Sequence, residues 1–346
     1  MRRSMCATSL PSPTSDSPTM NAAAMTRPPM VFGMPEKSGK GPATLTSAAE
    51  RGQAAGGRSP AHAAAATVRT ADAVAGAAQL ACVLEVSAEK PGNITPRHDF
   101  HDTTYEDMLR SAIAVGPELA RAGERGVGDT VLAVVQASRR ATRANTNLGI
   151  ALLLAPLAKA ALSGGPLRER LARTLGALDL ADARGAYEAI RLAGAGGLDE
   201  RVEHDVRSEP AVGLREAMAS AAARDGIAAE YVSDFALTFE TGVPTLVAAL
   251  GDGLAERQAI VELHLRLLGA VPDTLIARKR GAEAAARVSA GARHVLCAGG
   301  VRTAAGRRAL GSFDASLREP GNALNPGTTA DLVTATLFVA LLEGML

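Results

Sequence analysis

Aromatic residues are scarce in this chain: they make up 3% of its 346 residues, and tryptophan is absent. Single-stranded nucleic acids bind proteins by stacking on aromatic rings, so this composition disfavours such a partner. An excess of one charge is lacking too, because 37 Lys and Arg balance 36 Asp and Glu to a net charge of +1. We therefore expect small-molecule partners, and neither nucleic acid nor an anionic membrane.

Cysteine is also sparse in the sequence. Cys6, Cys82 and Cys297 are scattered and form no CxxC pair, which indicates reduced thiols in a cytoplasmic protein. Long apolar runs are missing as well. The segment "LGIALLLAPLA" at 148–158 contains Pro156 and falls short of the roughly 20 residues that a membrane-spanning helix needs.

Residues 1–66 differ in composition from the rest of the chain. They contain stretches such as "TSLPSPTSDSPTM" that are rich in Ser and Pro and show no apolar periodicity. Such segments bury too little apolar surface to fold, so we predict a disordered low-complexity extension at 1–66 and a single domain at 67–346.

Strand signals are absent from residue 67 onward, because β-branched and aromatic residues never gather into an alternating run. Apolar residues instead recur at spacings of three and four among Ala, Leu, Arg and Glu. The pattern predicts an all-α domain of about 12 helices. The expected helices are 67–87, 104–122, 127–143, 147–163, 166–176, 180–193, 211–224, 229–250, 253–270, 273–298, 302–317 and 328–345.

Polar residues collect in four segments between these helices, at 88–103, 143–147, 272–280 and 319–331. Each segment alone can be explained by helix capping. Helix N-termini also present unpaired N–H groups to anions, and several of them with Asn, Thr, Asp and Lys suggest one shared site. We therefore expect a polyphosphate site assisted by Mg²⁺, at which the four segments converge.

The first segment contains a helix break followed by potential ligands. Pro91 and Gly92 suit a turn, and Asn93 can cap or hydrogen-bond locally. Lys90 is one of only five lysines beside 32 arginines, which makes it a candidate phosphate ligand. The following "RHDFHD" at 97–102 could ligate zinc, but its carboxylates, Asp99 above all, suit Mg²⁺ better.

The other three segments open helices. "NTN" at 145–147 can cap the next helix or bind phosphate. Asp331 stands three residues after Thr328, as in a capping box, and could alternatively hold Mg²⁺ beside a phosphate. Asp273 is likewise a cap or a metal ligand, and it precedes the basic "RKR" at 278–280.

At these residues the chain resembles the triphosphoribosyl-dephospho-CoA synthase family, whose members are all-helical. The resemblance covers about residues 72–346 and rests on five matching segments. They are "EVSAEKPGN" at 85–93, "DF" at 99–100 with "SAIAVGP" at 111–117, "NTNLGIALLL" at 145–154, "PDTLIARKRG" at 272–281 and "NPGTTADLV" at 325–333.

The resemblance implies a transferase that moves the triphosphoribosyl group of ATP to 3′-dephospho-CoA and releases adenine, with ATP as substrate and Mg²⁺ as cofactor. It implies catalytic roles for Asp99, Asp331 and Glu85, and metal ligation by Asp99, Asp273 and Asp331. The residues expected to bind ATP or the second substrate are Lys90, Gly92, Asn93, Asn145, Thr146, Asn147, Arg278, Lys279, Asn325 and Gly327.

Two alternatives remain open. Family members of the citrate lyase type carry Gly-Gly-Val-Asn-Thr-His-Lys-Gly where this chain has "TRANTNLG" at 142–149, so Asn147 and Leu148 replace a His-Lys pair. This difference favours a divergent branch that uses the same nucleotide site on a phosphorylated precursor of a methanopterin- or methanofuran-type coenzyme. A helical binding scaffold without catalysis is the second alternative, and the sequence sets no oligomeric state.

Overall fold

The computed structural model describes residues 69–142, 144, 146–194 and 205–346. Within these ranges the chain forms fourteen α-helices and no strand, apart from an isolated bridge between Thr95 and His98. The all-α prediction is therefore confirmed. The extension predicted at 1–66 lies outside the described residues.

The helices follow one another in the order α1 to α14. Their bounds are α1 Ala71–Ser87, α2 Tyr105–Ala120, α3 Val127–Ala141, α4 Leu148–Ala161, α5 Leu167–Gly176, α6 Leu180–Ala193, α7 Leu214–Ala221, α8 Gly226–Val232, α9 Val243–Gly251, α10 Glu256–Ala270, α11 Thr274–Arg280, α12 Ala282–Cys297, α13 Ala304–Leu317 and α14 Gly327–Leu342. A π-helix at Leu237–Gly242 leads into α9, and a 3₁₀ turn at Pro320–Asn322 precedes α14.

Two helices, α4 and α14, are apolar on nearly all sides, and both lie in the core. Helix α14 packs against α1, α4 and α10, and most of its residues are buried. Burial on all faces explains why these two segments lack the polar face of a surface helix. Within the described ranges, no helix is long and apolar enough to cross a membrane.

The helix expected at 229–250 is broken in the structure, which corrects that prediction. Asp234 and Phe235 adopt positive φ angles of 51° and 59° between α8 and the π-helix. The Glu230 carboxylate accepts hydrogen bonds from the backbone N–H groups of Leu237 and Thr238, both at 3.0 Å, and thereby caps the π-helix. The apolar spacing continues across the break, so the sequence pattern does not reveal it.

The helix expected at 273–298 is also divided in two. Gly281 has a φ of 86°, a conformation that is strained for residues with a Cβ, and it separates α11 from α12. The basic cluster at 278–280 therefore ends a short helix and does not lie within a long one.

Asp273 joins α11 to α14. Its Oδ1 accepts hydrogen bonds from the N–H groups of Leu275 (2.9 Å) and Ile276 (3.1 Å), as an N-cap does. Its Oδ2 accepts from the N–H (2.7 Å) and the hydroxyl (2.8 Å) of Thr329 in the first turn of α14. Burial raises the pKa of this carboxyl, and the four hydrogen bonds oppose that rise. Two helix starts are thus fixed to each other by one side chain.

We expect Asp273→Ala to lower the free energy of unfolding by about 2–4 kcal/mol, because it removes a cap and leaves the Thr329 donors buried without a partner. The matched control is Asp179→Ala, which removes an exposed cap whose side-chain bonds stay within α6, with an expected loss of about 1 kcal/mol. Urea denaturation measures both. Equal losses would show that the link between α11 and α14 adds nothing to capping.

Candidate active site

The four polar segments of the sequence line one cavity of about 910 Å³. Its wall includes Asn93, Thr146, Arg278 and Asn325, one residue from each segment. The volume is at the upper end of the range for small-molecule sites in proteins. Apolar residues of α6 and α7 complete the wall.

Asp331 places a carboxyl group at the cavity wall. It lies in the first turns of α14, its partly exposed side chain faces the cavity, and no described residue donates a hydrogen bond to it or pairs with it. Burial raises the pKa of this carboxyl well above its usual range, with further increases from the negative charges of Glu85, Asp273 and Asp225. The guanidinium of Arg278 opposes them weakly. A carboxyl in such surroundings tends to hold a proton.

Gly149 makes room for this carboxyl in the first turn of α4. A Cβ at position 149 would lie only 2.0 Å from Oδ2 of Asp331 and 2.8 Å from Cδ1 of Ile227. Only glycine therefore lets α4 and the acidic side chain of α14 approach this closely.

We expect Gly149→Ala to lower the free energy of unfolding by about 1–3 kcal/mol, because the new methyl group overpacks the contact with Asp331. Gly76→Ala in α1 is the matched control, since nothing lies within 4 Å of its added Cβ. The control should gain about 0.5–1 kcal/mol from higher helix propensity. Urea denaturation compares them, and a neutral Gly149→Ala would contradict the close contact.

Glu85 also lines the cavity and is 4% exposed. Its Oε1 lies 3.0 Å from Nζ of Lys90, whose side chain has no exposed surface. Burial raises the pKa of Glu85, and the charge and hydrogen bond of Lys90 oppose that rise. The ammonium of Lys90 is thus enclosed, held by Glu85 and absent from the cavity wall, and its predicted role in phosphate binding stays a prediction.

Gly92 and Asn93 hold the turn after α1 against the C-terminal part of the chain. The backbone N–H of Gly92, at φ 74°, donates to Oδ1 of Asp314 at 2.8 Å. Nδ2 of Asn93 donates to Oδ1 of Asn325 at 2.7 Å, while Oδ1 of Asn93 is buried with no partner among the described residues. Asn93 and Asn325 thus place two amide groups at the cavity, whereas Gly92 has a structural role.

A group of cations borders the cavity on the side of α7 and α11. Arg224, Arg278 and Lys279 belong to it, and the ATP binding predicted for Arg278 and Lys279 stays a prediction. Nη1 of Arg278 lies 2.6 Å from Oδ2 of Asp225, the N-cap of α8, which fixes the direction of the guanidinium. Sequence reasoning missed Arg224 and Asp225, although "RD" directly before a helix could have indicated a cap beside a cation.

The residues at the start of α4 differ in whether they reach the cavity. Thr146 lines the cavity and its hydroxyl shares a hydrogen bond with that of Ser111. Asn147 is buried, makes no side-chain cap, and donates to Oγ of Ser138 at 3.4 Å. Gly327 lies at the cavity wall, and its predicted role in substrate binding stays a prediction. Asn145 lies outside the described residues.

Two carboxylates predicted as metal ligands lie apart from the cavity wall. Asp99 is exposed, and its Oδ1 accepts a hydrogen bond from the N–H of Tyr105 at 2.7 Å at the start of α2. Each oxygen of Asp273 already accepts two hydrogen bonds. In the described part of the chain, no group of three or more His, Cys, Asp or Glu side chains could hold a metal ion.

We expect Asp331→Asn to stabilise the protein by about 1–3 kcal/mol near pH 8, because it removes a desolvated charge that has no partner among the described residues. The folded-state pKa is raised, so the wild type loses stability as pH rises from about 4, the ordinary pKa of Asp, towards the folded value. The difference in the free energy of unfolding between the variant and the wild type should therefore decrease towards about pH 4. Thermal unfolding across this pH range measures it, and a destabilised variant at pH 8 would contradict the unpaired state.

The described chain is an all-helical protein with a cavity lined by residues of both charges. Glu85 and Asp331 form what we call the acidic floor of the cavity, and Arg224, Arg278 and Lys279 form its cationic rim. Residues 71–346 match the model of the CitG family, ATP:dephospho-CoA triphosphoribosyl transferase. The chain belongs to this family. The family assignment made from the sequence is confirmed.

The names of individual relatives agree with the description of the family. The chain is 38% identical over 108 residues to the "probable 2-(5''-triphosphoribosyl)-3'-dephosphocoenzyme-A synthase" of Stutzerimonas stutzeri, which covers 30% of this chain and 36% of that protein. The protein of the same name from Azotobacter vinelandii is 36% identical over 105 residues, covering 30% of this chain and 35% of the relative. The chain thus spans about a third of the length of these relatives.

A solved structure is similar to this chain over a larger share of its length. The crystal structure of a candidate triphosphoribosyl-dephospho-CoA synthase from Archaeoglobus fulgidus is 30% identical, with a TM-score of 0.54. The match covers 69% of this chain and 100% of that one.

Proposed function

We propose that this chain transfers the triphosphoribosyl group of ATP to 3′-dephospho-CoA and releases adenine. The observation that carries the proposal is the Asp331 carboxyl, which has no partner among the described residues and faces a cavity with cations at its rim. The family description names the same two substrates. Both are cytoplasmic metabolites, which supports a cytoplasmic location.

The rim suits the triphosphate. The planar guanidinium of Arg278 can bind phosphate oxygens through two parallel N–H groups, and Asp225 already holds it in place. Lys279 and Arg224 add charge on the same side. The amides of Asn93 and Asn325 lie at the cavity, where they can hydrogen-bond ribose hydroxyls.

The acidic floor suits the reaction at the sugar carbon. The bond between C1′ of the ribose and adenine breaks with its electron pair on adenine, and a protonated Asp331 supplies the proton that adenine needs to leave. An acceptor hydroxyl then forms the new bond to C1′, and its proton passes to the Asp331 carboxylate. The carbon is cation-like between these events, and an ionised Glu85 stabilises that positive charge.

The described residues support a Mg²⁺ site less strongly than they support a nucleotide site. Of the three predicted ligands, only Asp331 faces the cavity, and a single carboxylate does not make a protein-held site. The described donor set therefore does not fit a resident Mg²⁺. Magnesium usually binds mainly to substrate phosphates and water, so we propose that it enters with ATP.

A second candidate keeps the nucleotide site and changes the acceptor. Leu148 lines the cavity at the position where citrate lyase type members carry lysine, and the neighbouring Asn147 is buried against Ser138. The apolar Leu148 side chain favours an acceptor other than dephospho-CoA, such as a phosphorylated precursor of a one-carbon coenzyme.

We expect the chain to release adenine from MgATP only when dephospho-CoA is present, and Asp331→Asn to lower kcat by at least about 100-fold, the usual contribution of a general acid. The rise in melting temperature with MgATP should persist in the variant, because the rim still binds the triphosphate. Chromatography of adenine and thermal unfolding measure the two effects. Asp72→Asn, an exposed residue outside the cavity, is the matched control.

Three outcomes separate the alternatives. ATP stabilisation without adenine release would support another acceptor. No stabilisation at millimolar MgATP would support a scaffold without catalysis. Full activity of Asp331→Asn would exclude Asp331 from the reaction.

A further inference from the structure

Lys90 is the most deeply enclosed cation near the cavity. Its side chain has no exposed surface and it does not line the cavity wall. Its ammonium donates to the carbonyl oxygens of Glu85 and of Ala88 (3.4 Å), and lies 3.0 Å from Oε1 of Glu85. A lysine ammonium has three N–H groups, so these three acceptors use all of them.

The backbone fixes Lys90 in this position. Helix α1 ends at Ser87, and the turn that follows folds Lys90 back over the last carbonyl groups of the helix. These carbonyls form the negative end of the helix dipole, which favours a cation. The contacts with these carbonyl groups thus hold Lys90 next to Glu85, and they require no bound ligand.

The groups around this ion pair come from several elements. The charge of Glu85 raises the pKa of Asp331 from α14 and of Cys82 from α1. The charge of Lys90 lowers the pKa of His264 from α10. From α2, the Tyr105 hydroxyl hydrogen-bonds Ser87 next to the pair. Among the described residues, Lys90 is the cation whose charge acts on Glu85.

His264 does not compete with Lys90 for Glu85. It is fully buried, and neither ring nitrogen has a partner in the described part of the chain. Burial and then the charge of Lys90 hold its pKa well below the usual value, so the ring is neutral. Cys82 is buried and burial raises its pKa, so it too is neutral.

We propose that Lys90 is a positioning residue whose ammonium keeps the Glu85 carboxylate ionised and fixed at the cavity floor. This rests on the proposed function for its catalytic meaning: an anionic Glu85 stabilises the positive charge that appears on C1′ when adenine leaves. No proton moves to or from Lys90. The two carboxyls of the floor then differ in state, since Glu85 has a cation as partner and Asp331 has none in the part of the chain that the structure describes.

The direct test is a ¹³C NMR titration of the full chain labelled at the glutamate carboxyl carbon, with Glu85→Gln to assign the signal. In Lys90→Met the Glu85 signal should titrate at clearly higher pH than in the wild type, because burial continues to favour the neutral acid and the opposing ammonium is gone. Lys90→Arg keeps the charge and should titrate near the wild type. An unchanged titration in Lys90→Met would overturn the proposal.

Adenine release provides the second readout. We expect Lys90→Met to lower kcat about 10–100-fold, to change the KM for ATP less than about threefold, and to move the acid limb of the pH profile upward. In a Glu85→Gln background, Lys90→Met should leave the pH profile of adenine release unchanged. A raised KM with kcat and profile intact would instead make Lys90 a phosphate ligand and overturn the proposal.

Folding controls keep the two readouts interpretable. Losing one partner of a buried ion pair is strongly destabilising, so Lys90→Gln, which retains a donor for the carbonyls, replaces Lys90→Met if that variant does not fold. Wild-type protein without adenine release would refute the proposed function. The NMR titration would still decide whether Lys90 sets the charge of Glu85.

Discussion

The arrangement of the cavity depends on the four hydrogen bonds that Asp273 accepts. They fix the start of α11 to the start of α14. Helix α11 carries Arg278 and helix α14 carries Asp331, so one buried carboxylate sets how the cationic and acidic sides of the cavity face each other. A side chain that looks like a simple helix cap therefore controls the geometry of the whole site.

The floor of the cavity shows how one type of side chain can serve two purposes. Glu85 and Asp331 are both carboxylic acids in low-dielectric surroundings, and burial alone makes both of them weak acids. Lys90 opposes this effect at Glu85 through an ion pair, whereas at Asp331 only the more distant charge of Arg278 opposes it among the described residues. Pairs of acids with separated proton affinities are a common way to obtain both an anion and a proton donor at one pH.

The sequence predicted the helical class, the positions of most helices and the segments that meet at the cavity. Apolar spacing and capping residues are local signals, and they are strong in a chain rich in Ala and Leu. The breaks at Asp234 and Gly281 escaped this reasoning because apolar spacing continues through them. The strain at Phe235 is offset by burial of its ring in the hydrophobic core, which is a tertiary effect.

The site residues were predicted less completely, for a related reason. A motif shows which side chains occur together, but it does not show which of them point into the cavity. Lys90, Gly92, Asp99 and Asp273 belong to the predicted segments, yet the structure uses them to hold backbone and side chains in place. Arg224 and Asp225 escaped notice because their only local signal is a capping residue beside a cation, which does not show that both residues lie at the cavity.

The contact between Gly149 and Asp331 has an evolutionary consequence. Because a methyl group at 149 would occupy the place of the carboxylate oxygen, neither position can change alone without moving the other. Homologues should therefore keep or lose the pair together. A relative with a larger residue at the equivalent of 149 would share the helical fold without the acid at this place in the cavity, which makes this pair a marker for comparing the cavities of family members.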